Sequence, residues 1–162
     1  MTIQRASTQW LHQREHLKRE EVINMKSKPS KINFFLSTDK IEEHRYCSID
    51  DWQDPKIVGD YIHFLTQTAD TGNRKYNFLV LIHALVEQYL CYEKGITDKE
   101  VTKFDKEHTH CLNPGEHEEA PYYYQHLKAN DVESLIANAL NIDWVKYEDK
   151  IDKTLRKWKK DK

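Results

Sequence analysis

One thirteen-residue stretch constrains this chain more than any other. Phe78-Leu79-Val80-Leu81-Ile82-His83-Ala84-Leu85-Val86-Glu87-Gln88-Tyr89-Leu90 is apolar almost all round, and only His83 and Glu87 interrupt its middle. A helix without a polar face is a buried helix. Four residues apart, the two side chains share one face, one turn from each other. A buried carboxylate without a partner costs several kcal/mol, so it shifts its pKa or finds a cation. Three arrangements satisfy this pair: a hydrogen bond to each other, a distant Arg or Tyr, or a metal ion.

His and Glu at i and i+4 make a metal half-site. A neutral imidazole nitrogen and a carboxylate oxygen converge at about 2 Å on one ion, and both suit zinc or another first-row divalent metal. A later helix, expected over about Tyr122 to Asn141, carries His126 and Glu133 on one face with Ala129 between them. Two helices that each present His and Glu can close a four-ligand or a two-metal site. The expected ligands are therefore His83, Glu87 and His126. Glu133 is a further ligand or a general base. Asp105 is a further carboxylate, as ligand, base or acceptor for an imidazole N–H. The competing reading makes His126 an edge histidine and Glu133 a surface carboxylate. The loop from His108 to His117, with His110 and Cys111, is a rival site, although its spacing matches no usual zinc arrangement. Tyr122, Tyr123 and Tyr124 follow: one of them could line a pocket or donate to an oxyanion, although three in a row read as one packing aromatic with two half-exposed neighbours.

The rest of the chain reads as α+β: a small antiparallel sheet of two or three strands packed with four or five helices. A helix is expected over residues 7–25, as an N-terminal extension over 1–30. Strands are expected at Ile32–Leu36, at His44–Ile49 and at Tyr61–Thr68, with a polar turn at Asp50–Pro55. A turn at Asp70–Asn73 precedes the buried helix, which Gly95 ends. Thr97 and Glu100 spell a capping box for a helix reaching Glu107. The last helix starts near Asp143. Residues 31–162 then form one domain, in keeping with a length of 162 residues.

Charge narrows the function classes. The formal net charge of -2 is a cancellation: residues 1–30 carry +3, residues 146–162 carry +4, and the middle carries -9. An acidic middle repels phosphates, so nucleic-acid binding is not expected. No apolar run reaches the roughly 18 to 20 residues of a membrane span. Charged residues occupy the place of a signal-peptide core, and Cys47, Cys91 and Cys111 form no C-x-x-C pair. The expected location is the cytoplasm.

The block Tyr76-Asn77-Phe78-Leu79-Val80-Leu81-Ile82-His83-Ala84-Leu85-Val86-Glu87, with Cys91, Gly95-Ile96, Phe104-Asp105, Pro114-Gly115, Ala120-Pro121-Tyr122, His126, Glu133 and Ile142-Asp143-Trp144, resembles a family of small uncharacterised proteins from bacteriophages and bacteria. The resemblance spans about residues 60–145. It implies that His83, Glu87, Asp105, His126 and Glu133 belong to one site, and it implies a phage or prophage setting. Members often read H-E-L-x-E at the buried helix, similar to the H-E-x-x-H helix of zinc peptidases, where the Glu beside the first His is the general base. Here that position is Ala84, which cannot move a proton. Glu133 or Asp105 would have to take the role.

Three functions fit these residues. The first is a metal-dependent hydrolase. The second is a non-enzymatic binding protein, engaging a host protein or sequestering a small ligand, with a structural metal or a structural His–Glu pair. The third works through the basic ends, where Trp10, Trp144 and Trp158 could form a partner or homodimer surface.

Overall fold

The computed structural model describes residues 29–39 and 49–160. The helix expected over 7–25, most of the strand expected at His44–Ile49, and Trp10, Cys47 and the Trp158 side chain lie outside the described residues.

Among the described residues four strands come first: β1 (Lys31–Asp39), β2 (Asp50–Trp52), β3 (Lys56–Val58) and β4 (Tyr61–Ala69). Four helices follow: α1 (Arg74–Lys94), α2 (Asp98–Glu107), α3 (Tyr123–Ala139) and α4 (Trp144–Lys160), with a short 3-10 turn at Pro114–Glu116 between α2 and α3. The α+β class stands, in a sheet larger and more mixed than expected. β4 lies in the middle. β1 pairs with it in parallel, from Lys31↔Tyr61 to Asp39↔Ala69, while β2 and β3 pair with it antiparallel.

The expected polar turn at Asp50–Pro55 is instead part of an edge. β2 and β3 lie in sequence along the same side of β4, but their registers differ by one residue. Trp52 faces Thr66, whereas Lys56 faces His63. Four steps on the edge therefore oppose three on β4, which is the count of a β-bulge. Pro55 falls inside it, where its missing N–H costs no ladder bond. Gln88 of α1 secures the bulge: its side-chain amide donates to the Gln53 carbonyl at 2.8 Å and to the Leu65 carbonyl at 3.2 Å. β3 and β4 are joined by Gly59-Asp60, with Gly59 at φ 57. A positive φ at the first of two central residues suits the twist of a tight hairpin.

As the central strand, β4 is buried on both faces from Phe64 to Ala69, which is why its sequence shows little alternation. α1 packs across it and against α3. Asn73 caps α1 by accepting from the Lys75 amide at 2.9 Å, and Gly95, at φ 72, closes it in the left-handed region. Both halves of the capping box at Thr97 and Glu100 are formed. One apolar cluster gathers Trp52, Cys91, Val101, Ala120 and Tyr122, and a second gathers Leu79, Val80, Ala137 and Tyr147. No described helix is long and apolar enough to cross a membrane.

Candidate metal centre

The two helices that pack together carry the polar residues into their own seam. On α1, His83 and Glu87 are buried beside the fully buried Ala84; on α3, His126 and Glu133 are buried on either side of Ala129. Alanine at both contact positions lets the helices approach closely enough for the longer side chains to meet.

Three atoms converge there. His126 Nδ1 lies 2.8 Å from Glu87 Oε2 and 3.2 Å from His83 Nε2. His83 Nε2 lies 3.4 Å from the same Glu87 oxygen. Ligand atoms about 2.0–2.1 Å from a tetrahedral ion are spaced about 3.3 Å apart, so the triangle has the size of a metal face. His83, Glu87 and His126 thus form a buried group able to hold a metal ion.

Each of the three is held from behind. Glu133 Oε2 accepts from His83 Nδ1 at 3.0 Å, and the Tyr147 hydroxyl donates to Glu133 Oε1. A carboxylate oxygen can only accept, so His83 Nδ1 carries a proton, and Nε2 faces the triangle, able to ligate an ion once it gives up its own proton. Trp52 Nε1 donates to Glu87 Oε1 at 3.3 Å. Asn113 Nδ2 reaches His126 Nε2 at 3.3 Å. Gly115 lies against the His126 ring: a Cβ there would stand 2.7 Å from Nδ1 and 2.8 Å from Cγ.

The expected site residues are therefore brought together, in two ranks. His83, Glu87 and His126 present atoms to one point. Glu133 stands on the far side of the His83 ring, with both oxygens engaged. Asp105 accepts from the Tyr122 hydroxyl at 2.6 Å, and the Tyr122 ring lies edge-on to His126 with centroids 6.3 Å apart. Tyr147, Trp52, Asn113 and Gly115 were not singled out from the sequence as site residues. Only Gly115, beside Pro114 in an irregular loop, carried a local signal.

Burial and pairing pull the charges in opposite directions. Burial by itself lowers the His83 pKa, but the hydrogen bonds to Glu133 and Glu87 outweigh it and hold the imidazolium well above its ordinary range. Burial raises Glu87, and the bonds to His126 and His83 outweigh that, bringing it down to about 2. Burial pushes Asp105 up to about 7, against the opposing Tyr122 hydrogen bond. Burial also raises the Cys91 thiol, which makes it a core residue and not a nucleophile.

A cleft of about 870 Å³ opens over the triangle, lined by His83, Glu87, His126, Asp105, Asp50 and Trp52 among others. Among the described residues lining it there is neither Lys nor Arg. The rival loop is placed at its margin, with His117 on the cleft wall. No protein-family model, no curated protein and no solved structure matches this chain.

Proposed function

We propose that this protein is a metal-dependent hydrolase with one divalent ion, zinc by preference, held by His83, Glu87 and His126. The observation that carries the reading is the triangle of donor atoms, 2.8 to 3.4 Å on edge, on the wall of a cleft of about 870 Å³. Three protein ligands beside an open cleft leave a coordination position for water, which separates catalytic from closed structural zinc sites. Such an ion brings the pKa of bound water toward about 7.

Within this reading Glu133 is a positioning residue. It fixes the His83 tautomer and raises the basicity of the ligating nitrogen, the usual task of a carboxylate behind a metal-bound histidine. Asp105 is the general base. It lines the same cleft, and burial holds it near 7, where a carboxylate can both take and return a proton. It fills the role that Ala84 cannot. A cation on His126 Nδ1 requires the ring proton on Nε2, and Asn113 accepts it by turning its amide through half a turn. Among the described residues lining the cleft there is no Lys or Arg to assist the ion in holding a phosphate, so a highly anionic substrate is disfavoured. The resemblance adds a phage or prophage setting, and the charge and cysteine pattern add a cytoplasmic location; both belong to the proposal.

A second reading has its own observation. Without an ion the same residues form a closed hydrogen-bond chain: Asn113 to His126, His126 to Glu87, His83 to Glu133, Tyr147 to Glu133. That chain suits a binding protein with a structural His–Glu core. Metal analysis separates the two. Protein purified without chelator and given one equivalent of zinc is expected to hold that ion tightly, and the tight ion is expected to be lost in Glu87→Ala with the helical circular dichroism retained. Absence of stoichiometric metal from folded, zinc-loaded protein would sink the hydrolase. If metal is present, chelator-sensitive turnover in a panel of uncharged esters and amides completes the test.

A further inference from the structure

The loop between α2 and α3 holds a second group of ligating side chains, separate from the triangle. His108 closes α2, and His117 and Glu119 follow the short 3-10 turn. Their candidate ligand atoms all lie within 4.8 Å of one another. The group is only partly buried, with Glu119 exposed.

The setting is built rather than incidental. His108 Nδ1 donates to the Phe104 carbonyl at 2.9 Å. That bond fixes the tautomer and leaves the Nε2 lone pair outward, the arrangement that orients metal-ligating histidines. The Phe104 ring stacks on His108 with centroids 3.9 Å apart and lies 5.8 Å from His117, giving both imidazoles an apolar backing. The His108 and His117 rings are 5.0 Å apart. The Glu119 amide donates to His117 Nδ1 at 3.3 Å, so the backbone already folds Glu119 back toward that ring, and an ion takes His117 Nε2 as its proton leaves. The Lys159 ammonium ties the same loop from α4, donating to the carbonyls of Thr109 and Cys111.

We propose that His108, His117 and Glu119 form a second divalent-cation site, of the zinc, nickel or copper class, that fastens the end of α2 to the loop lying over His126. Two imidazoles and one carboxylate select these ions over magnesium or calcium, which prefer all-oxygen shells. The remaining positions are open to water, so this site binds more weakly than the buried one. Its place gives it a consequence for the buried centre. The segment between His108 and His117 carries Asn113 and Gly115, the two residues that meet His126. An ion at the outer site stiffens that segment against the ring. The site stands on its own residues and does not depend on the hydrolase reading.

Equilibrium dialysis of the full chain against zinc tests it. The wild type is expected to bind two ions per chain, the second at least tenfold more weakly. His108→Ala/His117→Ala is expected to bind one, and Glu87→Ala to lose only the tight one. Two ions retained by the double variant would overturn the outer site, as would a single wild-type ion that survives in it. If Glu87→Ala changes nothing while the double variant loses an ion, the outer site stands and the buried centre falls. Should the double variant fail to fold, zinc protection of the wild type against diethylpyrocarbonate decides: slower modification of His108 and His117 is expected, and equal modification with and without zinc overturns the proposal.

Discussion

Glu133 and Tyr147 meet behind His83, with the tyrosine hydroxyl on one carboxylate oxygen and the imidazole Nδ1 on the other, 3.0 Å away. The carboxylate thus ties α3 to both α1 and α4 while leaving His83 Nε2 to face Glu87 and His126.

Glu133→Gln is expected to keep the shape and lose the charge. Removing such a supporting carboxylate lowers metal affinity about 10- to 100-fold. His83→Ala, which removes a ligand, is expected to abolish the tight binding at the buried site. Zinc competition against a chromophoric chelator reads both. Equal losses in the two variants would mean that Glu133 is itself a ligand.

Gly115→Ala places a methyl group 2.7 Å from His126 Nδ1 and 3.0 Å from the Tyr122 ring. Neither ring can retreat far inside a packed seam, and overpacking of this kind costs about 1–3 kcal/mol. A lower urea midpoint and at least tenfold weaker zinc binding are expected together. Unchanged metal affinity would show that His126 Nδ1 is not the ligating atom.

Metal and proton compete for His83. Its imidazolium is favoured in the metal-free protein, because two carboxylates outweigh the burial that opposes it. Binding an ion therefore releases a proton, and affinity falls as pH is lowered. Calorimetric titrations in buffers of different ionisation enthalpy are expected to show about one proton released per ion near neutral pH. Binding enthalpies that do not vary with the buffer would contradict this.

Asp105 carries the opposite linkage. Its folded pKa of about 7 stands above the unfolded value, which is about 3.9. Below the unfolded value both states are protonated and nothing is gained or lost. As pH rises toward 7 the unfolded chain ionises first, and the folded state loses on the order of 4 kcal/mol relative to it. Asp105→Asn keeps an acceptor for Tyr122 and cannot ionise. Urea unfolding of metal-free protein at pH 5 and pH 8 is expected to show the variant gaining about 2.5 kcal/mol on the wild type between the two. A constant difference would place the Asp105 carboxyl in the ordinary range.

Much of the centre was legible because His83 and Glu87 interrupt an otherwise apolar helix, and burial leaves such groups few options. His126 and Glu133 followed from their shared helical face. What stayed hidden depends on packing. Tyr147 and Trp52 are ordinary core aromatics until their polar tips find Glu133 and Glu87. Asn113 and Gly115 sit in a loop whose path no periodicity encodes. The division of the carboxylates also escaped, since one-dimensional spacing cannot tell which side of an imidazole a glutamate approaches. For the fold, caps and turns were plain from Asn73, Gly95, Thr97 and Glu100. The edge at Asp50–Val58 was not, because Asp, Gln and Pro read as a turn, whereas the bulge secured by Gln88 makes them strand. Parallel pairing of β1 was equally invisible, since it joins segments about thirty residues apart.

That pairing separates the exposed edge of the sheet from the protein's chemistry. Among the described residues β1 is an edge strand hydrogen-bonded only to β4, and Ile32, Phe34 and Leu36 are exposed. β4 keeps its other neighbours and its cover of α1 if β1 lifts away. Local opening costs least where few buried groups must part, so β1 amides are expected to exchange with deuterium well before those of α1 and α3. The ligand cluster therefore belongs to the last part of the molecule to come apart, and an ion held there would go on reporting an intact centre after the sheet edge has begun to fray.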